Sequence, residues 1–165
     1  MDLLYIFAAT DGGGMLRSTD NDATWRKCEN GLTHAYIRSV SVDSLGYIYA
    51  CSGGDGIFRS TDNGESWSHA DEGITDGSVY SSTCSPEGHV FVGTVLRGVF
   101  RSTNNGVSWR EVGLPNSTVT SITSNPSGQV YASTVHGAIC RSTDTGGSWQ
   151  LWTPRTQFSQ VTCVR

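Results

Sequence analysis

One nine-residue word recurs four times in this chain of 165 residues: RSTDNDATW from Arg17, RSTDNGESW from Arg59, RSTNNGVSW from Arg101 and RSTDTGGSW from Arg141. The starts lie 42, 42 and 40 residues apart. A fixed period of that length means that one supersecondary unit is stacked, each copy burying a face that its neighbour completes. Between the words the pattern is also shared. GYIYACS (46–52), GHVFVGT (88–94) and GQVYAST (128–134) follow the turns SLG, PEG and PSG, and the alternating runs IRSVSVD, VYSSTCS and VTSITSN precede those turns. Period-2 alternation bounded by Gly and Pro predicts strands, and the lack of any helical segment excludes leucine-rich, ankyrin and helical-pair repeats.

Each period therefore holds four short strands, A to D. In the last full period A covers about 119–125, B about 129–134, C about 138–143 and D about 148–152. A repeating four-stranded antiparallel unit predicts an all-β chain, a β-propeller whose blades are these units, with residues 1–165 forming a single domain. The chain opens in a B-type strand, LLYIFAA, and finishes in an A-type strand, FSQVTCV. Pairing the C-terminal A strand with the N-terminal B-C-D blade would close a ring and protect its sheet edges. One chain could close four blades alone, or two chains could form a homodimer of eight blades. Wedges spanning a quarter circle sit uneasily with blades this short, which favours the dimer. The complementary ends fit a natural ring and an engineered or excised part of a larger propeller equally well.

Composition narrows the function classes. A formal charge of -4, a pI near 5.4 and the lack of any Lys or Arg cluster argue against nucleic acid as a partner. LLYIFAA is short and follows Asp2 with no basic residue before it, so it reads as a strand and not as a signal peptide. No segment approaches the roughly 20 apolar residues of a bilayer span, and the expectation is a soluble protein without membrane contact, intracellular by default. The five cysteines, 28, 51, 84, 140 and 163, are odd in number and lack C-x-x-C spacing. Cys140 aligns with Phe58 and Phe100, Cys84 with Val42, and Cys51 with Ala9 and Gly93, so cysteine is expected to act as a small buried hydrophobe.

The S-x-D-x-G-x-x-W word, placed on the C–D turn, resembles the Asp-box, or BNR, repeat of sialidases, sortilin-type receptors, xyloglucan-degrading glycosidases and the photosystem II assembly factor of cyanobacteria and chloroplasts. The resemblance covers all four words, 17–25, 59–67, 101–109 and 141–149. It implies a propeller and leaves activity open, because that family mixes enzymes with binding proteins. The physical reading of the word is structural. Asp20, Asp62, Asn104 and Asp144 can accept hydrogen bonds from their own turns, and the Ser hydroxyl can tie the strand end. Gly64, Gly106 and Gly146 supply a conformation other residues resist, and Trp25, Trp67, Trp109 and Trp149 are expected to pack between sheets. Asp22 replaces the glycine in the first word and Asn104 the carboxylate in the third. A metal loop would tolerate the latter poorly, so neither a metal nor another cofactor is expected. Arg17, Arg59, Arg101 and Arg141 are expected to pair with carbonyls or a carboxylate of an adjacent loop. Trp152 aligns with Val112 and Ala70 and reads as core.

Strands alternate in direction, so the C–D and A–B turns share one face and the D–A and B–C connections the other. Repeat identity fails on the second face, and varied loops on a constant scaffold are where binding chemistry sits. The D–A loops carry His34 and Tyr36, Asp76, Asn116 and Arg155, and the B–C loops read DGGG, GGD, VLR and VHG. Arg38, Asp55, Tyr80, Arg97 and His136 form the candidate ligand constellation. The expected function is a non-catalytic interaction module recognising a protein segment or a carbohydrate there. The alternative is a small glycoside hydrolase similar to sialidases. That resemblance would require an Arg-Ile-Pro segment, an arginine triad and a Tyr/Glu pair. No R-I-P occurs and Glu is scarce, so the expectation leans away from catalysis and no catalytic residue is assigned. No G-x-S-x-G elbow, H-E-x-x-H zinc motif or phosphate loop is present either.

Overall fold

The computed structural model describes residues 5–152. Within them the chain forms four antiparallel sheets. The first holds three strands, β1 (Ile6–Thr10), β2 (Gly14–Ser18) and β3 (Arg26–Lys27). The second holds β4 (Ile37–Val42), β5 (Ile48–Ser52), β6 (Ile57–Ser60) and β7 (Ser68–His69). The third holds β8 (Val79–Cys84), β9 (Val90–Thr94), β10 (Val99–Ser102) and β11 (Arg110–Gly113). The fourth holds β12 (Val119–Ser124), β13 (Val130–Thr134), β14 (Ile139–Ser142) and β15 (Gln150–Leu151). Strands neighbour each other in chain order within every sheet, the up-and-down pattern of propeller blades. The A, B and C strands match the sequence reading within a residue or so, whereas three of the four outer D strands shrink to two residues. The segment 158–164, expected to close the ring, lies outside the described residues, as do Arg155 and Cys163.

The core lies between blades. Met15, Cys28, Ile37, Ile48, Phe58 and Trp67 fill the first junction, Tyr49, Ile57, Val79, Val92, Phe100 and Trp109 the second, and Phe91, Val99, Val119, Ile122 and Val130 the third. This explains why β5 and β9 are buried along their whole length: each is covered on both faces by a neighbouring sheet. Cys28, Cys51 and Cys140 are buried and Cys84 partly so, all as free thiols, as expected of small hydrophobes. The inner strands meet through hydroxyls: Ser39 Oγ lies 3.1 Å from Ser82 Oγ, and Ser124 Oγ donates to the Cys84 carbonyl at 2.8 Å.

The repeated word folds as one turn in four copies. Its acidic position accepts a backbone N–H four residues on: Thr24 N to Asp20 Oδ1 at 2.9 Å, Ser66 N to Asp62 Oδ1 at 2.9 Å, Ser108 N to Asn104 Oδ1 at 3.0 Å and Ser148 N to Asp144 Oδ1 at 2.8 Å. The strand-end serine hydroxyl accepts from the N–H of Asp22 (3.0 Å), Gly64, Gly106 and Gly146 (2.8 Å each). A second hydroxyl completes the turn. Thr24, Ser66 and Ser148 donate to Oδ2 of Asp20, Asp62 and Asp144 at 2.6, 2.5 and 2.7 Å, and in the third word the bond reverses, with Asn104 Nδ2 donating to Ser108 Oγ at 2.9 Å. These bonds hold the Asp62 and Asp144 carboxyls down at about 2, with the serine hydroxyl the largest contribution.

Each junction repeats three contacts between one blade and the word of the next. Arg17 donates to the Asn63 carbonyl at 2.5 Å and to Glu65 Oε1 at 2.6 Å, Arg59 to the Asn105 carbonyl at 2.6 Å, and Arg101 to the Thr145 carbonyl. The indole N–H of Trp67, Trp109 and Trp149 donates to the carbonyls of Cys28 (2.8 Å), Ala70 (2.6 Å) and Val112 (3.1 Å). The word's glycine lies against an aromatic ring of the preceding blade. A Cβ on Gly64 would stand 2.8 Å from Phe7 Cε1, on Gly106 2.8 Å from Tyr49 Cε1, and on Gly146 3.0 Å from Phe91 Cε1. Glycine is needed there for close approach as well as for its positive φ.

Two assignments are corrected at the open faces. Trp25 is 40% exposed, against 5% for Trp67 and 6% for Trp109, because no preceding blade covers the first sheet among the described residues. Trp152 is 51% exposed and not core. Its counterpart Ala70 is covered by the Trp of the following blade; among the described residues Trp152 has no such cover, and its ring meets the edge of the Tyr131 ring, centroids 6.2 Å apart. Among the described residues Arg141 likewise makes none of the carbonyl contacts that its three equivalents make.

Candidate functional site

The face opposite the repeated turns is built from three equivalent irregularities. Each inner strand enters its blade through a β-bulge: the register shifts between Ile37 and Ser39, between Val79 and Ser81, and between Val119 and Ser121. The residues inside the bulges are Arg38, Tyr80 and Thr120. A bulge leaves one residue out of the ladder and re-aims its side chain, so three positions that vary among repeats are singled out by backbone geometry. Arg38 lies over the Tyr80 ring, its guanidinium carbon 5.5 Å from the centroid, and its Nη1 is 3.8 Å from Asp11 Oδ1. Asp11 is largely solvent-exposed and the Arg38 side chain a little under half so.

The glycine loops sit beneath these side chains. A Cβ on Gly53 would come within 3.1 Å of Arg38 Nε, one on Gly54 within 3.3 Å of His34 Nε2, and one on Gly12 within 3.5 Å of Tyr36 Cε1. DGGG and GGD are therefore platforms across which Arg38, His34 and Tyr36 lie. His34 and Tyr36 also pair with each other, ring centroids 5.4 Å apart. Every B–C loop is tied to the neighbouring D–A connection by backbone bonds, among them Gly53 N to the Tyr36 carbonyl (3.0 Å), Gly56 N to the Gly77 carbonyl (2.8 Å) and Val135 N to the Thr118 carbonyl (3.0 Å). This holds the patch on a stiff base.

Of the five residues singled out from sequence, Arg38 and Tyr80 come together. Asp55 is drawn outward: it accepts from Thr33 Oγ1 and lies 3.8 Å from His69 Nε2 on the outer strand β7. Arg97 turns to Glu111 on β11, 3.3 Å away. His136 is exposed on the β13–β14 loop. Asp11, His34 and Tyr36 complete the patch, whereas Thr120 Oγ1 lies 3.3 Å from the Ser133 carbonyl and 3.1 Å from the Ser133 hydroxyl on β13. The signal for them was the failure of repeat identity at those positions, but nothing in one sequence reveals a bulge. Asp76 is a joint: it is buried and accepts the N–H groups of Ser78 (3.1 Å) and Leu96 (2.7 Å).

The opposite face carries a concavity of its own. The ends of β4, β8 and β12 and the turns after them border a shallow, open depression of about 350 Å³ lined by Val42, Cys84, Pro86, Ser124 and Pro126 among others, against about 160 Å³ for the hollow at Leu32, Thr33 and His34 on the varied face. Among the described residues, no group of three His, Cys, Asp or Glu is arranged to hold a metal ion, and no helix is long and apolar enough to cross a membrane.

Comparison with solved structures gives the same architecture. An ancestral GH74 enzyme superposes with a TM-score of 0.76 at 21% identity over 92% of this chain and 23% of its own. YCF48 bound to D1 peptide matches with a TM-score of 0.67 at 18% identity over 89% of this chain and 49% of its own. The extracellular domain of BT4673 from B. thetaiotaomicron matches with a TM-score of 0.75 at 16% identity over 94% of this chain and 21% of its own. The chain thus spans less than half of each of these proteins, and the likeness is one of fold. No curated protein matches the sequence. The description "DUF6242 beta propeller domain" matches residues 38–162, three of the four words included, and the chain belongs to that β-propeller family.

Proposed function

We propose that this chain is a binding module that takes an extended protein segment across the bulge patch of Arg38, Tyr80, Asp11, His34 and Tyr36, and that its four words are Asp-box (BNR) repeats serving as joints. The observation that carries the reading is the set of three equivalent bulges, which place a cation, an aromatic ring and a hydroxyl at matching points of three blades on loops tied to one another. A guanidinium over a tyrosine ring beside exposed His and Tyr side chains offers stacking and hydrogen-bonding groups at little cost in side-chain ordering. YCF48, a structural neighbour, is seen with a bound peptide, which supports a peptide over a glycan as the ligand class.

The GH74 neighbours keep glycoside hydrolysis as the second reading. That chemistry needs two carboxylates about 5–10 Å apart across a cleft. On this face Asp55 and Asp76 are engaged in loop contacts, which favours binding. The test is a peptide-array or pull-down screen followed by titration of the captured peptide. Arg38→Ala and Tyr80→Ala are expected to weaken binding by about tenfold each, while His136→Ala, outside the patch, leaves it unchanged. Equal binding by all three variants would sink the assignment. Turnover of xyloglucan abolished by Asp55→Asn in a folded protein would replace it with the enzymatic reading.

A further inference from the structure

We infer that Asn30 is a deamidation site, at which the peptide nitrogen of Gly31 closes on the side-chain amide and the resulting isoaspartate loosens the junction between the first and second blades. The repeated word protects the other two Asn–Gly bonds of the chain, Asn63–Gly64 and Asn105–Gly106. The inference is independent of the ligand reading above. It rests on contacts inside completed junctions.

The reaction needs only water. The backbone nitrogen after an asparagine attacks the side-chain Cγ, its proton passes to the departing amide, and ammonia leaves as a five-membered imide closes. Water then cleaves one of the two imide C–N bonds. Cleavage at Cγ leaves aspartate; cleavage at the backbone carbonyl leaves isoaspartate, in which the chain runs through Cβ and the former peptide carbonyl is a carboxylate. Glycine favours the attack because no Cβ obstructs its nitrogen. What separates the three bonds is the state of that nitrogen. In the repeated word both residues of each pair take positive φ, 57° and 80° at Asn63–Gly64 and 56° and 75° at Asn105–Gly106. There the N–H groups of Gly64 and Gly106 donate at 2.8 Å to the Ser60 and Ser102 hydroxyls, and both glycines are buried. Freeing the nitrogen from one such bond slows attack by about fivefold. Asn30 and Gly31 are both exposed, and the Gly31 N–H donates no hydrogen bond among the described residues. The Asn30 side chain is restrained by a long contact, Nδ2 to the Glu65 carbonyl at 3.4 Å.

The consequence follows from what this turn holds. Residues 28–31 clamp Trp67 of the second word: its indole N–H donates to the Cys28 carbonyl and its backbone N–H to the Asn30 carbonyl, both at 2.8 Å. Gly31 lies so close that a Cβ on it would overlap the Trp67 carbonyl oxygen. Isoaspartate lengthens this backbone by a methylene and turns the carbonyl that holds the Trp67 N–H into a free carboxylate, next to Glu29. The clamp cannot keep both of its bonds in register. At the second junction Trp109 is clamped in the same way by the carbonyls of Ala70 and Glu72. The turn therefore does not require asparagine, and Glu72 has no amide to lose.

The test is peptide mapping by mass spectrometry of the folded chain held in mildly alkaline buffer, with a methyltransferase specific for isoaspartate as the second readout. Asn30 is expected to convert at least about fivefold faster than Asn63 or Asn105, and in urea the three bonds should converge on one rate. Asn30→Glu, which copies the second junction, should keep the melting temperature of the fresh chain and lose the fast conversion. The fraction of aged chain carrying isoaspartate at position 30, separated by ion exchange, should melt lower than fresh chain. Asn30 converting in the folded chain as slowly as the other two overturns the site. Asn63 or Asn105 converting as fast in the folded chain as in urea overturns their protection by the word. A spread of rates in urea as wide as in the folded chain overturns the role of the fold, and an isoaspartate fraction that melts like fresh chain overturns the loosening of the junction.

Discussion

Replacing the tryptophan of a word by alanine should cost much more inside the arc than at its open face. Trp109 is 6% exposed and donates to the Ala70 carbonyl at 2.6 Å. An indole side chain buries up to about 250 Å², which at about 25 cal/mol per Å² is about 6 kcal/mol as an upper bound. Alanine keeps a fraction of that, and the orphaned carbonyl adds about 1 kcal/mol or more. Measured Trp→Ala losses in cores run at about 3–5 kcal/mol, and we expect about 4–5 kcal/mol for Trp109→Ala. Trp25 is 40% exposed and makes no indole hydrogen bond among the described residues, so Trp25→Ala should cost about 1–2 kcal/mol. For a domain of this size each kcal/mol moves Tm by about 2–4 °C. Thermal unfolding followed by circular dichroism at sub-micromolar concentration should then show a drop of about 10–20 °C for Trp109→Ala and less than about 8 °C for Trp25→Ala. Equal drops at the two positions would refute the junction account, because they would mean that burial between blades is not what the tryptophan contributes.

Three further outcomes follow from the same contacts. Gly106→Ala places a Cβ 2.8 Å from the ring of Tyr49, which is fully buried and pinned by its hydroxyl to Asp43 at 2.8 Å, at a φ of +75°, so a loss of about 1–3 kcal/mol is expected in urea unfolding. Asp62 and Asp144 titrate near 2 in the folded chain against an ordinary 3.8, so their contribution is present above pH 4 and is lost as pH falls from 4 toward 2. Asp62→Asn should flatten the fall of the urea midpoint across that window, and Asn104→Asp should steepen it. Burial pushes the thiols of Cys28 and Cys84 up to about 11 and that of Cys51 to about 12. In a Cys163→Ser variant at pH 8, Ellman's reagent should therefore label these sites slowly until the chain is unfolded; rapid labelling of Cys51 in the folded protein would contradict its placement.

The repeat made the fold legible. Words phased at 42, 42 and 40 residues, with alternating runs between them, determine strand number, order and direction, because each strand is specified by a local period and each turn by its own Gly, Asp or Ser. The hydrogen bonds of the word were readable for the same reason, lying within five residues of one another. The Ser or Thr at its eighth position also recurs in all four copies, and its hydroxyl bond to the acidic side chain could have been anticipated from that alone.

What a single sequence could not convey depends on residues about 40 apart. Alignment places Trp152 with Ala70, yet one is exposed and the other buried, because burial is decided by whether a neighbouring blade covers the position. Alignment equates Asp22 with Gly64, yet only the packed junction shows that the glycine must also let an aromatic ring approach. The bulges that set Arg38, Tyr80 and Thr120 apart arise from two residues opposing one across a ladder, and no local pattern announces them. Sequence by itself determined the blades and the face on which the loops vary. Tertiary structure decided which side chains meet on that face and which surfaces remain uncovered, since both are properties of contacts between repeats and not of any repeat alone.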